Sequence, residues 1–424
     1  MMDMELFRES RTWHEQGAYA EAADGYQRLL AQDPHNAQLC YLQALLYFEL
    51  DLLDAAAEWF RKSISLAPGL ASAHYNLGVI HFAQGNLEPA AASYEAAAAL
   101  NPHDTDTLFN LGLTLKKQGR FDKALATYNK ALTLSPDDAD LLYNIGVLYM
   151  DMGESARAVH SLEEVVKRQA DHGPAINNLA YLYHRQGQEA KAMIAYERLL
   201  ELDHNAAMAA HMLAALRGHS TSSAPATYIR EVFDSFSDHY DQSLVDRLGY
   251  TTPSRLRQMV PTGTHCFRRC LDMGCGTGLS GQAFCDLTDT LIGLDLSTKM
   301  LALAAEKEIY HHLHETDIHS FLRESRDIYD LVLAADVFVY IGDLREIFRL
   351  VRQHSRPGTL FLFSTELAEA DYQIKSTGRY GHSRKYIDEL AAEEHFAVLD
   401  SAGANLRREK DSWIAGNLYV LEAL

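Results

Sequence analysis

The chain has 424 residues, 47% of them hydrophobic, enough for two or three domains with sizeable cores. Its 58 acidic and 38 basic residues give a formal net charge of −20, and both halves are acidic. Phosphate neutralisation dominates affinity for nucleic acid, so this balance argues against DNA or RNA as the main partner. The start of the chain has no basic and apolar leader, and no run of about eighteen apolar residues occurs. The five cysteines, at 40, 266, 270, 275 and 285, form no even framework and lack C-x-x-C spacing. Together these features predict a cytoplasmic protein with reduced thiols, no membrane association and no structural metal.

Taken in chain order, the first feature is a period of 34 residues running from about residue 3 to about residue 206. A small residue closes a helix–helix turn, an alanine follows five positions on, and an aromatic lies four beyond that. Gly17, Ala22 and Tyr26 begin the series; Gly85, Ala90 and Tyr94, Gly119, Ala124 and Tyr128, and Gly187, Ala192 and Tyr196 repeat it. Pro34, Pro68, Pro102 and Pro136 stand where the second helix of each of the first four units must stop. The apolar-glycine pairs Leu77-Gly78, Leu111-Gly112 and Ile145-Gly146 mark the places where two helices press closely together.

This pattern resembles the tetratricopeptide repeat family, with six units and a capping helix from Ala207 to Leu216, as solenoids require. Departures are Asp51 for the turn glycine of the second unit, Ser10 for the helix glycine of the first and Leu162 for the aromatic of the fifth. Ala170 and His204 replace the last two prolines.

Asn76, Asn110, Asn144 and Asn178 lie 34 residues apart, each just before the helix-pairing dipeptide. Stacking would align them on the inner face. Asparagine is a mediocre helix former, and its amide can pair with both the C=O and the N–H of an extended peptide. A similar row in the superhelix of O-linked N-acetylglucosamine transferases holds protein substrates, and the resemblance implies a protein or peptide partner on the concave face. The alternative is that asparagine is simply frequent at this slot. A carboxylate clamp is not expected, because the row of Lys, Arg and Asn it needs is absent.

Residues 218–225, Gly-His-Ser-Thr-Ser-Ser-Ala-Pro, read as a linker between a repeat domain at 3–217 and a second domain at 226–424. A helix is predicted from Tyr228 to Tyr240, and another from Thr252-Pro253. Strands near 266–273, 290–294, 329–334 and 359–364 alternate with helices, and Phe396–Asp400 and Gly416–Val420 close the domain without a helix between them. The whole therefore reads as α plus α/β: an α-solenoid followed by a Rossmann-like, mostly parallel, seven-stranded sheet.

The first crossover carries the chemistry. Leu271-Asp272-Met273-Gly274-Cys275-Gly276-Thr277-Gly278 is a strand ending in an acid and opening into G-x-G-x-G, and Asp295 ends the next strand. A glycine turn after the first strand and a carboxylate after the second suit a nucleoside, the carboxylate taking the ribose hydroxyls. Leu279 fills the third glycine slot of a dinucleotide fingerprint, and no Gly-Lys-Ser/Thr follows. This favours a phosphate-free ligand, S-adenosylmethionine, over a nicotinamide cofactor.

Residues 226–424 resemble class I S-adenosylmethionine-dependent methyltransferases, in particular the ubiquinone- or biotin-pathway-like domains that some bacterial proteins join to tetratricopeptide repeats. The cues are Phe233-Asp234-Ser235-Phe236-Ser237-Asp238-His239-Tyr240-Asp241, the glycine loop, and Thr377-Gly378-Arg379-Tyr380-Gly381-His382-Ser383. Carried over by position, the resemblance implies that Asp272 and the backbone at Gly274, Gly276 and Gly278 face the methionine end of the donor. Asp295 would take both ribose hydroxyls, and Leu296 and Met300 would pack on adenine. Asp317 and Ile318 would meet its edge, Ala334 would lie near the sulfonium, and Tyr240 would belong to a lid. For each acid the competing role is a solvated loop carboxylate or a helix cap.

A base is needed only if the acceptor starts protonated. His382 is the first candidate, with Tyr380, Tyr340, Asp336 and Glu366 nearby; an ordinary turn histidine before a helix at Ser383 is the competing role for His382. His311, His312 and His314 lack helical ligand spacing and a carboxylate partner, so no metal is expected. The readings that follow are a methyltransferase recruiting a protein or peptide, a methyltransferase acting on a small carboxylate or phenol with repeats used for assembly, and a non-catalytic scaffold.

Overall fold

The computed structural model describes residues 3–234, 249–262, 266–409 and 412–424. The chain divides into two compact units, Met1–Gln186 and Gly187–Leu424.

In the first unit, antiparallel helices alternate from Met4–Glu15 and Tyr19–Gln32 to Ser155–Arg168 and Gly173–Arg185. Their turns need a left-handed residue. Gly17, Gly85, Gly119 and Gly153 supply it at φ of 72–77°, and Asp51, which replaces glycine, still adopts φ 58°. Aspartate tolerates this region better than most side chains, so the turn survives the substitution. Close helix approach explains Gly112: a Cβ there would lie 2.5 Å from Cε1 of the buried Tyr128. The first repeat reaches the same closeness differently. Ser10 donates to its own helix at Leu6 O (2.7 Å), and the small residue moves across to Gly25, where a Cβ would strike Ser10 Oγ. Alanine, leucine and tyrosine from consecutive hairpins then merge into a continuous core, including Ala90, Tyr94, Leu111, Tyr128 and Ile145.

In the second unit, helices Glu189–Leu202 and Ala207–Leu216 precede a nine-stranded sheet among the described residues. The strands are β1 (Phe267–Met273), β2 (Thr288–Asp295), β3 (His312–Glu315), β4 (Tyr329–Ala334), β5 (Ser355–Leu367), β6 (Tyr372–Ile374), β7 (Tyr380–His382), β8 (Phe396–Glu409) and β9 (Ser412–Ala423). Their order is β3-β2-β1-β4-β5-β7-β6, and β9 lies antiparallel to both β5 and β8. The expected seven strands are thus joined by a short hairpin, β6–β7, attached to the end of β5 at Glu366 and Leu367.

Parallel strands covered on both faces need apolar residues at every position, and these have them. Leu271, Ile292, Val332 and Phe361 face one core, while Cys270, Leu291, Leu331 and Leu360 face the other. Strand order turns back between β1 and β4, and this is where such sheets open a crevice at the strands' carboxyl ends.

The stretch read as a free linker is instead built into this unit. Ala224 N donates to Tyr340 O (2.8 Å), Ser222 O accepts from Gly342 N and Asp343 N, and Ser220 Oγ accepts from Ile374 N (3.1 Å). The last helix of the array is bound in as well: His211 Nε2 lies 2.8 Å from Gly378 O, and its ring packs on Tyr228 and Tyr380. The Ser220 hydroxyl thus serves the backbone of a hairpin about 150 residues away, and the Ser222 carbonyl serves the backbone at Gly342 and Asp343.

Candidate active site

The glycine turn between β1 and its following helix is held open by backbone geometry. Gly274 and Gly276 have φ of 66° and 53°, and Cys275 N donates to Leu294 O (2.9 Å), tying the turn to β2. Asp295, 9% exposed at the tip of β2, accepts from Gly276 N at one oxygen and Ser297 N at the other, both at 2.9 Å. Burial pushes its carboxyl up, and these backbone donors oppose the shift. Ser297 donates to Asp234 Oδ1 (2.5 Å) and caps its helix through Met300 N, while Arg230 Nε donates to Leu296 O (3.1 Å). Helix Ala226–Asp234, which follows the 218–225 strap, is therefore anchored over the β2 loop.

The glycine turn and Asp295 face a cavity of about 510 Å³, within the size range of small-molecule sites. One wall is Gly274, Gly276, Asp295 and Leu296, with Asp317 and Ile318 from the turn after β3. A second wall holds Asp336, Tyr340, Arg379 and Arg407, and Ala224, Pro225 and Ile229 line it from the strap and its helix. Asp317 combines both roles considered for it, lining the cavity and accepting from Ser320 N (3.0 Å) as a helix cap. Burial acts to raise its carboxyl, but hydrogen bonds from Ser320 and His319 prevail and hold it below the usual range.

Other expected residues lie elsewhere. Asp272 is fully buried beneath the glycine turn, where Tyr310 OH donates to its Oδ2 (2.6 Å) and burial pushes its carboxyl up to about 7. Gly278, at φ 92°, starts the following helix, and Met300 and Ala334 are core residues at 1% and 0% exposure; none of these four lines the cavity. Tyr240 lies outside the described residues.

The expectation for His382 and Tyr380 requires correction. His382 is wholly buried on β7, its Nε2 donates to Gly342 O (3.0 Å), and its ring stacks on Tyr386. Burial pushes it down to about 4, so it is a neutral core residue and not a base at the cavity. Tyr380 is also fully buried, its hydroxyl bonded to Thr221 Oγ1. The physical reason is the β6–β7 hairpin, which turns alternate residues inward; the sequence suggested only a turn. Of the five candidates Tyr340 and Asp336 line the cavity, and burial pushes the Tyr340 phenol up.

Sequence reasoning missed a buried charge network on the second wall. Arg407, 3% exposed on β8, donates to Asp336 Oδ1 and Glu366 Oε1, both at 2.5 Å, and Lys375 Nζ reaches Glu366 Oε2 at 2.7 Å. Burial acts to raise the Glu366 carboxyl, but Arg407 and Lys375 outweigh it and hold the group low. Asp336 sits at φ 61°, and its N–H donates to Ser364 Oγ (2.8 Å). An arginine at an inward position of a long closing strand was the available signal for Arg407.

In the repeats the asparagines have structural partners. Asn76, Asn110 and Asn178 donate to the hydroxyls of Tyr41 (3.2 Å), Tyr75 (3.1 Å) and Tyr143 (3.5 Å), each 35 residues earlier. Asn144 would need a hydroxyl at 109, where the chain has Phe109, and it bonds to Asp140 O in its own helix (2.8 Å). All four remain partly exposed.

Family models match repeats as far as residue 207 and a methyltransferase domain beyond them. Tetratricopeptide repeat models match residues 15–71, 71–104, 93–126 and 143–207, a TPR repeat model matches 114–153, and a methyltransferase domain model matches 271–361. The chain is a tetratricopeptide-repeat array followed by a methyltransferase domain. Its second part is similar to the ubiquinone biosynthesis O-methyltransferase of Bordetella avium, at 26% identity over 32% of this chain and 64% of that protein. It is also similar to the malonyl-[acyl-carrier protein] O-methyltransferase of Halalkalibacterium halodurans, at 30% identity over 37% of this chain and 63% of that protein. The chain thus spans less than two thirds of either relative's length. Among solved structures it is similar to YrrB, described as a TPR protein with an unusual peptide-binding site, at 20% identity over 45% of this chain and 97% of that one, with a TM-score of 0.41. No helix among the described residues is long and apolar enough to cross a membrane, and no cluster of metal-ligating side chains occurs among them.

Proposed function

We propose that the chain is a methyltransferase that takes its methyl group from S-adenosylmethionine and uses its repeat array to recruit a protein or peptide acceptor. One observation carries the donor assignment: the bare turn at Gly274 and Gly276, Asp295, and the Asp317–Ile318 turn line a single cavity. The residues fit the donor. A Cβ at Gly276 would meet no atom within 4 Å, so open space adjoins the backbone there. Asp295 keeps acceptor capacity beyond its two backbone bonds, because a carboxylate offers about four lone-pair sites. When bound, the donor supplies a methyl carbon on a sulfonium, a leaving group that needs no protonation. The protein's own work is to hold the two reactants in line and to exclude water.

Calorimetric titration of the full chain with S-adenosylmethionine tests the donor assignment. Binding should weaken about 10- to 100-fold in Asp295→Ala, the loss of charge-assisted hydrogen bonds. An intact chain that fails to bind sinks the assignment.

Recruitment is supported by the partly exposed asparagine row: each amide donates to a tyrosine or backbone oxygen, and its carbonyl oxygen can accept from a partner. Unchanged turnover on the native acceptor in the Asn110→Ala, Asn144→Ala double variant would count against it. A second reading keeps the enzyme and makes the acceptor a small carboxylate or phenol, with the repeats used for assembly. The names of the two relatives, both O-methyltransferases, favour it.

A further inference from the structure

We propose that the second wall of the cavity is an anion subsite in which Arg379 holds a carboxylate of the acceptor, and that this carboxylate receives the methyl group. The proposal rests on the methyltransferase reading above.

Charge is the first argument. Asp336 and Glu366 are both engaged by Arg407, and Glu366 also by Lys375, whereas Arg379 feels Asp336, Glu366 and Glu409 without a direct ion pair to any of them. Arg379 lines the cavity and has no carboxylate within ion-pair distance among the described residues. Its neighbour, the Tyr340 hydroxyl, is neutral. A half-buried guanidinium with no directly paired carboxylate leaves its fork open, and that planar fork matches a carboxylate through two parallel hydrogen bonds. The hairpin turn fixes its position: Lys375 N donates to Arg379 O (2.8 Å), Gly378 N to Lys375 O (2.9 Å), and Gly378 takes φ 78°.

Location is the second argument. The glycine turn and Asp295 end β1 and β2, whereas Arg379 and Arg407 belong to the hairpin and strand beyond β4 and β5. They lie across the switch point, on the side left for the second reactant.

The third argument concerns protons. His382 is sealed in the core, the Tyr340 phenol is pushed up by burial, and Asp336 is tied to Arg407. His319, the one histidine that lines the cavity among the described residues, lies at the Asp317 turn after β3. Among the described residues the second wall supplies cations and no free base. A phenol would have to lose a proton there, while a carboxylate arrives ionised at neutral pH. In the step itself, a carboxylate oxygen bonds to the methyl carbon as the carbon–sulfur bond breaks. The electron pair leaves with sulfur as a neutral thioether, the product is a methyl ester, and no proton is released.

The full chain should be incubated with methyl-labelled S-adenosylmethionine and an extract of its native host. Release of the label as methanol by mild alkali marks an ester and is the expected result; label stable to alkali overturns the proposal. Label in the small-molecule fraction would assign a free acid, and label in macromolecules a side-chain or terminal carboxylate.

Arg379→Gln should lower labelling about 10- to 100-fold, as loss of a charge-assisted hydrogen bond predicts, with partial recovery in Arg379→Lys. Affinity for S-adenosylhomocysteine, measured by calorimetry, should stay within about twofold of wild type in both variants, since neither touches the donor wall. Weakened binding of that probe in a folded Arg379→Gln would move Arg379 to the donor's own carboxylate and overturn the proposal. Wild-type labelling by Arg379→Gln would do the same. Failure of the unaltered chain to bind S-adenosylhomocysteine would instead defeat the methyltransferase reading.

Discussion

The repeat array and the sheet unit handle buried polarity in opposite ways. In the array the asparagine partners lie in the same helix or one repeat away: Asn110 donates to Asp106 O and to Tyr75, and Asn144, which lacks the tyrosine, keeps the bond within its helix to Asp140 O. In the sheet unit partners are distant: Arg407 meets Asp336 across 71 residues and Glu366 across 41. Short-range pairing tolerates substitution because an adjacent backbone group can substitute. Long-range pairing in a buried site has no such reserve, and removing one member strands the others.

The contrast makes graded predictions. Arg407→Met leaves Glu366, 2% exposed, and Asp336 without their main counter-charge; urea unfolding of the second unit should reveal a loss of about 3–5 kcal/mol. A loss under 1 kcal/mol would mean that the network is far better hydrated than its geometry indicates.

His382 offers a pH test. Its folded value of about 4 lies below the ordinary 6.5, so the unfolded chain binds the extra proton between these limits. Stability from this group is complete above pH 6.5 and falls as the pH drops toward 4, by about 3 kcal/mol in all. Asp272, raised to about 7 by burial, has the opposite slope: its carboxyl favours folding most below pH 4 and progressively less as the pH rises to 7. The two partly cancel, so the comparison of interest is between His382→Phe and wild type across pH 4–6.5. The variant should have lost the acid sensitivity that His382 contributes, and identical slopes would refute the neutral-core assignment.

In the array, Gly112→Ala would drive a methyl group to within 2.5 Å of the Tyr128 ring; thermal unfolding should reveal a cost of about 1–3 kcal/mol. Smallest is the asparagine pair. Asn110→Ala should cost about 0.5–1.5 kcal/mol and Asn144→Ala close to nothing, while Phe109→Tyr should restore a partner to Asn144. Equal costs at the two positions would remove the inter-repeat bond as the reason for the row.

Most of the architecture was legible because its signals are local. A 34-residue period, turn positions that need a left-handed residue, and apolar runs followed by G-x-G-x-G all act within one or two elements. Even Asp51 could be seen as a turn residue, since the period marks the slot. Asp295 and the Asp317–Ile318 turn were legible for a related reason: strand tips in a parallel sheet converge at a known edge.

His382 and Tyr380 were misplaced because two three-residue strands carry too little pattern to announce themselves, and their pairing with β5 turned a presumed turn into buried sheet. The strap at Ser220–Pro225 resembled solvated linker because polar side chains suit loops and backbone caps alike. The Arg407–Glu366–Asp336 network was invisible for the deepest reason. Composition and periodicity constrain which faces are apolar, so they fixed the layers, the glycine cradle and the acid beside it. Which charged side chains meet inside a cavity depends on how strands far apart in the chain pair and twist together, and that geometry exists only once the sheet has closed.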